Sequence, residues 1–117
     1  MPSISIYHNP RCSKSRQTLA LIEEQGLTPE IVLYLETPPN AATIKDLLAK
    51  LDINARQLLR KGEDEYKNNN LADQTKTDEE LIAAMAAYPK LIERPIVVKG
   101  DRAVLGRPPE NVLGLLD

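Results

Sequence analysis

The single cysteine, Cys12, stands in the run His8-Asn9-Pro10-Arg11-Cys12-Ser13-Lys14-Ser15-Arg16. A thiol attacks poorly until it ionises, and unpaired backbone N–H groups at the positive end of a helix dipole favour the ionised form. The pattern turns helical from Ser13, so Cys12 lies at a loop-to-helix junction where such groups are available. Arg11, Lys14 and Arg16 add positive charge around it, and His8 lies just upstream. Ser13 and Ser15 carry hydroxyls able to donate to sulfur or to a bound oxyanion, and the same N–H groups make an anion cradle. A lone cysteine is more often a small buried hydrophobe, but polar neighbours on both sides argue against burial here. His8 reads equally as a loop residue bonded to backbone or as support for the thiolate, and spacing leaves both open. One His beside one Cys is too few ligands for a structural metal site, so no metal is expected.

The elements that must position this run follow from periodicity. Ser3 to Tyr7 alternates, with Ile4 and Ile6 on one side, and ends at His8-Asn9-Pro10, which reads as strand then loop. The helix from Ser13 has Leu19, Leu21 and Ile22 as its apolar stripe, and Gly26 supplies a left-handed stop. Glu30 to Leu35 is a continuous apolar run after Pro29, the pattern of a strand covered on both faces. A β-α-β start makes the two strands parallel if they share a sheet. After Thr37-Pro38-Pro39 the pattern is helical: Ile44, Leu47, Leu48 and Leu51 repeat at i, i+3, i+4, i+7. Asn54-Ala55-Arg56-Gln57 opens a further helix with Leu58 and Leu59 inward. Thr77-Asp78-Glu79-Glu80 is a capping box before Leu81, Ile82 and Met85. Lys67 to Asn70 and Asp73 to Lys76 read as polar connections. Ile96-Val97-Val98 and Ala103-Val104-Leu105 flank Lys99-Gly100-Asp101-Arg102 as a β-hairpin. Gly106-Arg107-Pro108-Pro109 then leads to a last amphipathic helix with Val112, Leu113 and Leu116 inward.

At 117 residues the chain fits a single domain, 1–117, with an all-helical insertion over about 40–88. Hydrophobic residues are 42% and charged residues 27%, close to an ordinary soluble protein, so neither disorder nor a membrane class is suggested. The net charge of −2 provides no basic field for nucleic acid or an anionic membrane, so any anion site must be local. Four Tyr with no Phe or Trp leave an aliphatic core and little for base stacking. The start of the chain lacks a signal-peptide pattern and the lone Cys has no internal disulfide partner, so a cytoplasmic protein is expected. The order β-α-β, helices, β-β-α resembles the thioredoxin-like α/β arrangement, a small mixed sheet with helices on its faces. In that fold a Pro before the third strand follows a cis peptide, which implies one between Arg94 and Pro95.

Several ordered blocks carry a more specific likeness: Ile4 to Arg16, Val32 to Pro39, Leu58-Leu59-Arg60, Leu71-Ala72, Pro89 to Ile92, Glu93 to Val98, and Gly106-Arg107-Pro108. On these the chain resembles the arsenate reductase (ArsC) family, in its glutaredoxin-coupled, thioredoxin-like class, and looks like a compact chromosomal-type member. The resemblance implies that Cys12 attacks the oxyanion, that Arg60, Arg94 and Arg107 hold it, and that His8 and Ser15 assist the thiolate. It implies no bound cofactor, glutathione as co-substrate and glutaredoxin as protein partner. Arginine forks suit tetrahedral oxyanions because they stay charged and bind two oxygens at once. Glutathione would supply the resolving thiol, so one protein cysteine suffices. Two other readings share the fold: a regulator of the Spx type that binds RNA polymerase, and a general glutaredoxin-like thiol oxidoreductase. The redox switch of the first resembles Cys-x-x-Cys, whereas here the second position is Ser15; the second has less use for the three arginines.

Overall fold

The alternation of Ile4-Ser5-Ile6-Tyr7 forms β1 (Ile4–Tyr7), and it lies inside the sheet, between β2 (Glu30–Val32) and β3 (Ile96–Lys99), with β4 (Arg102–Leu105) beyond. The structure is a computed structural model describing residues 3–116. β1 runs parallel to β2 and antiparallel to β3, and β3 pairs antiparallel with β4, giving the mixed sheet of the thioredoxin-like class. The register aligns Ile31, Ile6, Val97 and Val104 in one row across the four strands. Ile6 and Val97 have no exposed surface and join Ile22, Val112 and Leu115 in one aliphatic cluster. Each such side chain contributes roughly 1.5–3 kcal/mol by leaving water.

Two helices bring that cluster together. The first, α1 (Ser13–Glu24), stops where the Gly26 N–H reaches the Glu23 carbonyl, and Gly26 takes the positive φ of 79° that such a stop requires. Its buried residues are Ser15, Thr18 and Ile22, while Leu19 and Leu21 are only partly buried against the cluster. The inward face is therefore more polar than hydropathy implies. The last helix, α6 (Asn111–Leu116), buries Val112 and Leu115. Leu113 and Leu116, expected inward with Val112, lie at the margin, because the short helix presents one i, i+3 edge to the sheet.

The run Glu30 to Leu35 does not form a strand covered on both faces. Only Glu30–Val32 pairs, β2 is an edge strand, and Ile31 is 47% exposed. From Leu33 the chain turns, its carbonyl accepting the N–H groups of Glu36 and Thr37, and Tyr34 rather than the strand is buried. The β3–β4 hairpin turns at Gly100, with φ 63°. The Arg94–Pro95 and Arg107–Pro108 peptides are both cis.

Residues 38–93 form a second compact unit, separate from the unit made by the chain up to Thr37 and from Arg94 onward. In it α2 (Ala41–Leu51) is capped by Asn40, whose side chain accepts the Thr43 N–H at 2.8 Å, and buries Ile44, Leu47 and Leu48. The helix opened by Asn54 is a single turn, α3 (Ala55–Leu58), held by a capping box with Gln57. An unforeseen short helix, α4 (Asp64–Asn68), uses part of the stretch read as a polar connection, since Tyr66 gives it one apolar anchor. The Thr77 capping box opens α5 (Asp78–Ala87) and buries Leu81, Ile82 and Met85. A 3₁₀ turn over Pro89–Leu91 follows. No helix among the described residues is long and apolar enough to cross a membrane.

Candidate active site

Cys12 is the N-cap of α1, in extended conformation (φ −95°, ψ 122°) and partly exposed, and no side chain caps the helix. The first helical bond is Arg16 N–H to the Cys12 carbonyl, so the N–H groups of Ser13, Lys14 and Ser15 have no acceptor in the preceding turn. An N-cap side chain normally accepts from the second or third of these. Cys12 occupies the N-cap position but its side chain makes no cap hydrogen bond, so these N–H groups stay available at the helix end, where a thiolate or an oxyanion gains most.

The charges along α1 oppose its own dipole. Lys14 and Arg16 lie in the first turn with no acidic residue there, and Glu23 and Glu24 close the last turn with no basic one. α5 does the reverse, opening on Asp78, Glu79 and Glu80. A helix arranged like α1 forfeits a few tenths of a kcal/mol per charge, roughly 0.3–1 kcal/mol each. What it gains is positive potential at Cys12.

The loop before Cys12 is wound around Asn9. The Asn9 carbonyl accepts the Cys12 N–H at 3.0 Å, its side-chain Oδ1 accepts the Arg11 N–H at 3.0 Å, and its own N–H donates to Ser15 Oγ at 3.0 Å. Arg16 Nη1 donates to the Pro10 carbonyl at 2.9 Å and ties the loop to the first turn.

His8 and Ser15 are both buried and meet through His8 Nδ1 and Ser15 Oγ at 2.7 Å. Burial first, and the Arg16 charge second, push the His8 pKa below its ordinary 6.5, so the ring is neutral at neutral pH. His8 therefore meets Ser15 as a neutral ring and not as a cation. With the proton on Nε2, the Ser15 hydroxyl donates to the ring. With it on Nδ1, the ring donates and frees the hydroxyl proton for another acceptor on the same helix face as Cys12, three residues away.

Arg94 and Arg107 belong to the same unit as Cys12 and flank β3 and β4. Arg107 Nη1 donates to the Arg94 carbonyl at 3.4 Å, which brings the two chain segments together; Arg107 is exposed and Arg94 half-buried. Arg60 belongs to the helical unit. An antiparallel bridge between Leu59 and Ile92, with the Arg60 N–H on the Leu91 carbonyl at 2.7 Å, sets it beside Glu93. Its guanidinium pairs with Glu63 at 3.1 Å and Glu93 at 3.6 Å, two carboxylates of the same unit. No group of His, Cys, Asp or Glu suited to a metal occurs among the described residues.

Two residues that chain reading passed over belong to the frame of this site. Thr18 is fully buried and bonds Gly106, and Gly106 is packed too closely for any side chain. The only sequence signal was the inward spacing Ser15, Thr18, Ile22, which hydropathy conceals.

The sequence profile described as ArsC family matches residues 7–115. The Escherichia coli (strain K12) protein YfgD is 59% identical over 114 residues, covering 97% of this chain and 96% of its own. An arsenate reductase of Neisseria meningitidis serogroup A is 45% identical over 117 residues, with 99% of this chain and 100% of the other covered. Among solved structures, an arsenate reductase from Vibrio cholerae is 53% identical and superposes with a TM-score of 0.94 over 97% of each chain.

Proposed function

The chain belongs to the ArsC family, and from this we propose that it is an arsenate reductase-like oxidoreductase whose nucleophile is the Cys12 thiolate. The observation that carries the reading is the placement of the chain's one cysteine as the N-cap of α1, over N–H groups that no side chain caps. Cys12 attacks arsenate, an S–As bond forms, and an arsenate oxygen leaves as water after taking up protons. Arg94, Arg107 and Arg60 neutralise the oxyanion through paired N–H donors.

The reduction needs two electrons, which two thiols provide as they join in a disulfide. Glutathione is the first, entering at arsenic and displacing a further oxygen as water. A glutaredoxin thiol is the second: it attacks the glutathione sulfur, forming the glutaredoxin–glutathione disulfide and leaving the S–As electron pair on arsenic, and water then cleaves the Cys12–As bond to release arsenite and restore the Cys12 thiolate. The protein holds no cofactor of its own in this scheme and works in the cytoplasm, where reduced glutathione is abundant.

The test is arsenate-dependent NADPH oxidation coupled through glutathione reductase, glutathione and glutaredoxin. Turnover is expected from the parent chain and none from Cys12→Ser. Turnover that survives this substitution removes Cys12 from the nucleophile's role, and equal turnover without glutaredoxin removes that partner.

A further inference from the structure

Thr18 is completely buried on α1, six residues past Cys12. Its hydroxyl donates to the Lys14 carbonyl at 2.8 Å, the usual partner of a helical threonine, which alone would satisfy it. It shares that one proton with the Gly106 carbonyl on a different part of the chain, at 3.2 Å, the longer arm of a bifurcated bond. Gly106 in turn donates its N–H to the Pro95 carbonyl at 2.9 Å. The residues next in sequence to these anchors are Arg107 and Arg94, themselves joined by the 3.4 Å bond from Arg107 Nη1 to the Arg94 carbonyl. A Cβ on Gly106 would lie 2.5 Å from Thr18 Oγ1 and 2.8 Å from Pro95 Cγ, so the absence of a side chain is what lets the three segments meet.

We propose that Thr18 is a positioning residue: its hydroxyl fixes Gly106, and with it the Arg107 guanidinium, against the helix whose N-cap is Cys12. This rests on the oxyanion reading above. Helix α1 would then set both the nucleophile and one of the arginines, so that a rigid element fixes the reach from sulfur to guanidinium. Thr18 touches no substrate and acts only through Arg107.

The experiment compares parent, Thr18→Val and Thr18→Ser. Valine keeps the shape and removes the hydroxyl; serine keeps the hydroxyl. The readouts are the sulfate concentration that half-protects Cys12 from iodoacetamide, the alkylation rate without anion, and KM and kcat for arsenate. Thr18→Val is expected to raise the half-protecting concentration and KM roughly two- to tenfold, the effect of one lost hydrogen bond. The anion-free alkylation rate should stay within about twofold of the parent, and Thr18→Ser should restore anion binding. Thr18→Ala provides the same comparison if the valine variant does not fold. Unchanged anion binding in a folded variant lacking the hydroxyl overturns the proposal, as does anion-free alkylation falling as far as anion binding. Absence of any anion protection in the parent removes the oxyanion reading, and the positioning role with it, a result readily told apart from parent protection that Thr18→Val leaves intact.

Discussion

Lys14→Glu should make the protein more stable and its site weaker. Lys14 is exposed in the first turn of α1, where a cation faces the positive helix end. Reversing its sign removes one unfavourable interaction and adds one favourable one. Because the position is exposed, each is taken near the low end, about 0.3 kcal/mol, for about 0.6 kcal/mol in all. For a domain of this size that raises Tm by roughly 2–4 °C. The substituted carboxylate also opposes any anion at Cys12, so the half-protecting sulfate concentration in an iodoacetamide assay should rise roughly two- to fivefold at low ionic strength, and less in higher salt. Differential scanning calorimetry and the protection assay on the same samples measure both. A lower Tm, or sulfate protection unchanged at low salt, would refute the claim that α1 gives up stability for potential at its N-terminus.

Replacing Arg94 or Arg107 with Lys keeps the charge and loses the paired donors, so arsenate kcat/KM should fall roughly ten- to a hundredfold, measured in the coupled assay. Gly106→Ala should cost about 1–3 kcal/mol by overpacking against Thr18 and Pro95, read from the urea midpoint, and adding Thr18→Ala should recover part of the loss. His8 is held neutral with its pKa below 6.5, so the unfolded chain takes up its proton first as pH falls. Stability should therefore decline as pH drops below about 6.5 and through the folded value, and His8→Gln should flatten Tm in that window. The depressed carboxyls of Asp73 and Glu80 act in the same sense but at lower pH, below their ordinary 3.8 and 4.5.

Much of this protein is written in short-range codes. The alternation of β1, the stop at Gly26, the capping boxes at Asn54 and Thr77 and the turn at Gly100 depend on residues a few positions apart, so the chain alone determined them. The polar run around Cys12 likewise announced a helix start bearing a thiol. Other features depend on what lies across space. Glu30 to Leu35 has the hydropathy of a buried strand, but whether a strand is central or at an edge is decided by its neighbours, and β2 has only β1. Nothing near Thr18 in the chain announces its contact with Gly106, and the choice left open for His8 turns on a burial and a bond to Ser15 that spacing does not show. The two carboxylates on Arg60 come from positions 63 and 93, and the second is far enough along the chain that no spacing rule reaches it. Desolvation and long-range hydrogen bonding arise only when distant segments exclude water together, which is why the tertiary structure alone decided them.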